Sequence, residues 1–255
     1  NICKVILIIT LININVHNLF SRDKEQKLGL VLSGGGAKGF AHIGVLKVFE
    51  EENIPVSLIS GTSMGNIIGA LYSVGYSPDE IEDFAKRQDW SMLLTDDIDR
   101  RLKSRFKQDF EEKHIIEMNI SSNNKRLALP AGLVRGNNIL NIFCGMTAEY
   151  ADSINFANLP IPFACVAYDL NSAQEVVIDH GHLAKAMLTS MAIPGIFSPV
   201  EYKNMRCVDG GVINNFPVDV ALEMGANMTI GVDLKQIGET EHDYNQSITS
   251  ILRGL

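Results

Sequence analysis

The sequence predicts an α/β fold with a mostly parallel central sheet and helices crossing between its strands. Three observations predict it. Short apolar runs alternate with longer segments of helical periodicity, and glycine-rich turns fall where each early run gives way to a helix. A chain of 255 residues with 46% hydrophobic and 20% charged side chains also suits one large domain better than two small ones.

Each element follows in order. Leu28–Leu32 (LGLVL) reads as a short buried strand, and SGGGAKG at 33–39 as a loop. Residues 40–54 place Phe40, Ile43, Leu46, Val48 and Phe49 at helical spacing. Residues 55–60 read as a second strand, 61–65 (GTSMG) as a tight turn, and 66–76 as a helix closed at Gly75. Strand, loop, helix, strand, turn, helix implies parallel pairing through crossover helices. Residues 77–150 are more polar and mostly helical, with a capped acidic helix start at Pro78 and a strand leading into a helix over 127–140. Residues 162–170 and 175–179 read as paired strands across a short turn. A helix over 182–193 ends at Pro194-Gly195. A short strand at 205–208, the tripeptide Asp209-Gly210-Gly211, a helix from Pro217 and a buried strand over 228–234 complete the pattern.

The two ends read differently. Residues 5–16 carry no charge, too short a run to span a membrane and about the length of a secretory h-region. Residues 1–26 are therefore expected to be an export signal or N-terminal extension, with an apolar segment packed on the core as the alternative. Residues 27–235 are expected to form the main folded domain, and 236–255 a linker or the start of a further C-terminal region. A net charge of −8 and a pI near 5.3 exclude a broad nucleic-acid footprint. Anionic membranes would not attract this body electrostatically, so membrane contact must use apolar residues or a local basic patch. The dense basic run at 100–107 is read as a solvated helix face. Cys3, Cys144, Cys165 and Cys207 lack C-x-x-C spacing, and no Cys/His cluster points to zinc.

Two stretches carry chemistry. Gly61-Thr62-Ser63-Met64-Gly65 is G-x-S-x-G between a strand and a helix, where a sharp turn lifts the serine Oγ clear of the backbone. SGGGAKG at first suggests a phosphate cradle. A P-loop needs Ser or Thr after its lysine, but Lys38 precedes Gly39. Gly34, Gly36 and Gly39 match the dinucleotide pattern G-x-G-x-x-G, yet the second strand ends in Ser60-Gly61-Thr62-Ser63 rather than a ribose-binding carboxylate. A nucleophile elbow stands in its place. Because consecutive parallel strands end side by side, the glycine loop can then offer backbone N–H groups to an oxyanion formed at Ser63. For the base, only His242 follows Asp209 as a Ser-His-Asp hydrolase order requires, and it lies in a polar stretch. Asp209 at a strand end is the better candidate, although D-G-G alone is an ordinary turn.

Taken together, GGGAKG at 34–39, GTSMG at 61–65, DGG at 209–211 and the segment SMAIPGIFSPV at 190–200 resemble the patatin-like phospholipase family, from about residue 28 to 234. The resemblance implies a three-layer α/β/α fold and a Ser–Asp dyad without histidine. It assigns Ser63 as nucleophile, Asp209 as general base, and Gly34, Gly35, Gly36 and Lys38 as the oxyanion-hole segment. Gly61, Gly65, Gly210 and Gly211 support the elbow and the acid. It implies lipid acyl-ester hydrolysis, a phospholipid or other acyl-ester substrate, membrane contact, and no metal or cofactor. It also fits an exported or membrane-associated protein, with residues 77–150 forming a lid or acyl groove.

Overall fold

All five residues of LGLVL are buried, as a strand covered on both faces requires. They form β1 (Leu28–Leu32) in a computed structural model that describes residues 26–96 and 134–235. Leu30 and Leu32 enter the large core with Ile59, Phe163 and Cys165, while Val31 joins Leu58, Ala221 and Ala226 on the other face. Side chains alternate across a strand, so this split puts helices on both sides of the sheet. The fold is a three-layer α/β/α sandwich.

After β1 come a 3₁₀ turn (Gly36–Phe40), α1 (Ala41–Glu51), β2 (Leu58–Gly61), α2 (Met64–Ser73), α3 (Pro78–Arg87) and α4 (Trp90–Thr95). The later elements are α5 (Asn137–Met146), β3 (Ile154–Asn155), β4 (Phe163–Asp169), β5 (Gln174–Ile178), β6 (His180–Gly181), α6 (Leu183–Ser190), β7 (Val200–Tyr202), β8 (Met205–Asp209), α7 (Val218–Glu223) and β9 (Met228–Val232). α3 starts in a capping box, with Ser77 and Glu80 satisfying each other's backbone N–H groups.

The main sheet runs β7-β8-β4-β2-β1-β9, with β5 also paired to β4; β3 and β6 pair separately. β9, β1, β2 and β4 are parallel, whereas β5 and β8 lie antiparallel to β4. A short connection between β4 and β5 forces the antiparallel turn, which the predicted hairpin anticipated.

Several boundaries differ from the sequence reading, and the strand expected to be buried over 228–234 is not: β9 ends at Val232, pairs among the described residues with β1 alone at the end of the sheet, and so leaves Met228 and Ile230 exposed. β2 begins at Leu58 rather than at residue 55, because Pro55 has no N–H for a ladder. α6 stops at Ser190 rather than 193: Pro194 disfavours helix at Ile193, and the Ala192 carbonyl accepts the Asp209 N–H at 2.9 Å. All but the last residue of the expected signal or extension at 1–26, the basic run at 100–107, most of the strand predicted after 127, and 236–255 with His242 lie outside the described residues.

One feature of the sheet places the site. β2 pairs with β4 as far as Gly61↔Cys165, and β8 pairs with β4 as far as Asp209↔Ala167. Cys165 and Ala167 both give their other edge to β5, so β2 and β8 share one edge of β4. They run towards each other along it. Their C-terminal ends, carrying Ser63 and Asp209, therefore converge.

Candidate active site

Ser63 sits between β2 and α2 with φ 53° and ψ −120°, a conformation a non-glycine side chain rarely adopts. The surroundings hold it there. Its N–H donates to Ser190 Oγ at 3.3 Å, the Thr62 carbonyl caps the first turn through the Gly65 N–H, and Thr62 Oγ1 donates to the Asn214 carbonyl at 2.9 Å. Gly65 is required by contact: a Cβ there would lie 2.2 Å from the Leu32 carbonyl oxygen. Gly61 ends β2, paired on both sides with Leu32 and Cys165.

The Ser63 hydroxyl donates to Asp209 Oδ2 at 2.6 Å. Asp209 Oδ1 accepts the Gly211 N–H at 2.7 Å, and the Gly210 carbonyl receives the Ile213 and Asn214 N–H groups, so the DGG turn orients the carboxylate. Both Ser63 and Asp209 are buried. Burial pushes the Asp209 carboxyl up to about 6, partly offset by the hydrogen bonds from Ser63 and Gly211. A carboxylate so placed is both more basic than usual and within direct reach of the hydroxyl.

The glycine loop closes the third side. The Gly34 N–H donates to the Asn215 carbonyl at 3.1 Å and the Lys38 N–H to the Gly35 carbonyl at 3.1 Å. Gly36 has φ +54°, the left-handed region that favours glycine. Among the described residues, no acceptor takes the N–H of Gly35 or Gly36. The loop is anchored from behind by Ser33, whose Oγ accepts the Leu234 N–H, and by His42. Buried His42 is held below its usual range by desolvation, so its ring is neutral; Nε2 donates to the Ser33 carbonyl at 2.8 Å. His180 and His182 bond elsewhere, to Asp179 and to the Lys185 N–H.

Two cavities meet at Ser63. One, about 280 Å³, is lined by Gly34, Gly35, Gly36, Lys38, Asp209 and Gly211 together with Asn215 and Lys235. The other, about 420 Å³, is lined almost wholly by apolar side chains, from Phe40, α2, α3, α4, α5 and residues 191–197, among them Ile67, Phe84, Trp90, Ile142 and Phe143. Ser63, Gly36 and Ile193 line both. Gly61, Gly65 and Gly210 line neither cavity. Among the described residues no group of His, Cys, Asp and Glu is arranged to hold a metal.

Sequence reasoning missed the parts played by Ser190, His42, Asn215 and Thr62. Ser190 was visible only as part of the 190–200 segment, and small polar residues at such spacing carry no signal of their own.

The family profile described as patatin-like phospholipase matches residues 30–222. The chain belongs to the patatin-like phospholipase family. An uncharacterized NTE family protein of Mycobacterium tuberculosis is 29% identical over 212 residues, covering 83% of this chain and 50% of that protein. Patatin-like phospholipase domain-containing protein 6 of Homo sapiens is 30% identical over 231 residues, covering 88% of this chain and 15% of that protein. A lysophospholipase NTE1 of Lodderomyces elongisporus is 26% identical over 226 residues, covering 88% and 14%. The chain thus spans half or less of the length of these relatives.

Proposed function

We propose that this patatin-like chain hydrolyses the fatty-acyl ester of a phospholipid through Ser63 and Asp209, without histidine. The observation that carries the reading is the 2.6 Å bond from Ser63 Oγ to Asp209 Oδ2 at the junction of a polar and an apolar cavity. The apolar cavity takes the acyl chain and the polar one the remainder of the lipid. Lys38 and Lys235 line the polar cavity, where Asp209 is the one carboxylate among the described residues, and this suits an anionic headgroup.

Asp209 Oδ2 takes the Ser63 proton as Oγ attacks the ester carbonyl. The free N–H groups of Gly35 and Gly36 hold the oxyanion, while Gly34 and Lys38 fix the loop through bonds already made. The tetrahedral adduct collapses, its C–O bond to the glycerol oxygen breaks, and Asp209 returns the proton to that oxygen. Water then gives a proton to Asp209 and attacks the acyl-enzyme; the fatty acid leaves and Ser63 regains its hydrogen. No metal or cofactor takes part.

Leu94 and Ile196 line the apolar cavity yet are 41% and 48% exposed, an apolar lip through which the protein meets a membrane surface. An exported or membrane-associated location accords with that lip and with the apolar segment at 5–16.

Mass-spectrometric analysis of products from defined mixed-acyl phospholipids tests the proposal, with Ser63→Ala as control. Release of free fatty acid by the wild type, absent in Ser63→Ala, is expected. Equal release by both would overturn it.

A further inference from the structure

α4 contributes Trp90, Leu93 and Leu94 to the apolar cavity, and α5 contributes Ile139, Ile142 and Phe143. The acyl pocket therefore depends on how these two helices are held together. Asp96, just past the end of α4, lines neither cavity. Its backbone is left-handed, with φ 53° and ψ 23°, which turns the residue back towards the start of α5. There its carboxylate accepts three backbone N–H groups: Oδ2 from Arg135 at 2.9 Å and Gly136 at 2.7 Å, and Oδ1 from Asn138 at 3.0 Å. α5 needs this. Its N-cap is Gly136, which has no side chain to offer, and its first turn contains no acidic residue. Asp96 thus caps α5 from 40 positions upstream. A second link, from Asn138 Nδ2 to the Met92 carbonyl at 3.2 Å, joins the same two helices.

We infer that Asp96 is a positioning residue that fixes the spacing of α4 and α5, and so makes long acyl chains better substrates than short ones. This rests on the acyl-ester hydrolase reading of Ser63. A short acyl group reaches only the Ser63 end of the cavity, whereas a long one must fill the space between the two helices. Loosening the clasp therefore penalises long chains selectively.

Asp96→Asn and Asp96→Ala in the full chain provide the test. Asn tolerates the left-handed backbone and keeps one side-chain carbonyl, so it isolates the lost charge and acceptor. Alanine removes the clasp. Steady-state kinetics on p-nitrophenyl butyrate and palmitate, binding of the fluorescent fatty acid cis-parinaric acid, and fluorophosphonate labelling of Ser63 are measured together. With Asp96→Asn, the palmitate-to-butyrate ratio of kcat/KM should fall about tenfold, the size expected from weakened charge-assisted hydrogen bonds. The change should lie mainly in KM, parinarate affinity should drop similarly, Ser63 should still label, and Asp96→Ala should go further. An unchanged ratio and affinity would overturn the inference. So would palmitate and butyrate rates falling in step with Ser63 labelling, which marks a purely structural role. If Asp96→Ala does not fold, Asp96→Asn decides. If the wild type hydrolyses neither ester and Ser63 does not label, the hydrolase reading fails, while the parinarate affinities still decide what Asp96 does to the pocket.

Discussion

In the proposed mechanism Asp209 has to be charged to accept a proton, yet it is buried, and that burial pushes its carboxyl up to about 6 from the ordinary 3.8. That conflict sets two predictions. As general base, Asp209 is active only when deprotonated, so kcat/KM should rise with pH and level off above about pH 6; a pH–rate profile flat down to pH 4.5 would remove it from that role. Asp209→Asn should lower kcat about 10²- to 10⁴-fold, the usual worth of a positioned base. The stability effect has the opposite sense. An acid whose pKa is raised on folding binds its proton more tightly in the folded state, so folding is favoured below about pH 4 and loses that advantage as pH rises through about 6. The shift corresponds to about 3 kcal/mol. Asp209→Asn should therefore melt above the wild type at pH 8 and lose the advantage near pH 4. Thermal unfolding at the two pH values checks the sign, and an equal difference at both would show that the carboxylate is not charged at a cost.

The elbow and the acid turn are brought together by strands, not by helices or loops. In sequence, Ser63 and Asp209 stand 146 positions apart. Strand–turn–helix alternation made β1, the glycine loop, β2 and the elbow legible, because each has a local signature: an apolar run, consecutive glycines, a serine between glycines. The D-G-G turn was legible as a motif. Its meeting with Ser63 was not, since it depends on β4 pairing β2 and β8 in succession along one edge, and a pairing partner leaves no mark on local pattern. Ser190 was hidden for a similar reason. It ends α6, and its hydroxyl takes the Ser63 N–H only because α6 packs behind the elbow. Removing that acceptor leaves a buried N–H without a partner, which costs about 1–3 kcal/mol. Ser190→Ala should lower the unfolding midpoint accordingly and reduce kcat by releasing the strained Ser63 backbone. Chemical denaturation together with kinetics reads both, and a variant as stable and active as the wild type would show that the elbow is held without Ser190.

At the scale of the molecule, the net charge of −8 works against any anionic lipid surface, so headgroup capture has to be local. Lys38 arrives from the loop after β1 and Lys235 from the segment after β9, and the parallel pairing of those neighbouring strands is what sets both at one cavity. Neither forms an ion pair among the described residues. Exposed cations of this kind are screened by salt, and each contributes at most about 1 kcal/mol, or up to about fivefold in affinity. KM for a phospholipid with an anionic headgroup should thus climb as sodium chloride is raised from about 50 to about 500 mM, over which the Debye length shrinks from about 14 Å to about 4 Å. KM for an uncharged ester such as p-nitrophenyl butyrate should stay level over the same range. In Lys38→Ala/Lys235→Ala the two salt dependences should become alike, with kcat on the uncharged ester retained because the dyad and the glycine N–H groups are untouched. A double variant that kept the wild-type salt slope on the anionic lipid would place headgroup recognition elsewhere on the surface, and the apolar lip at Leu94 and Ile196 would then be left as the feature that brings the lipid to Ser63.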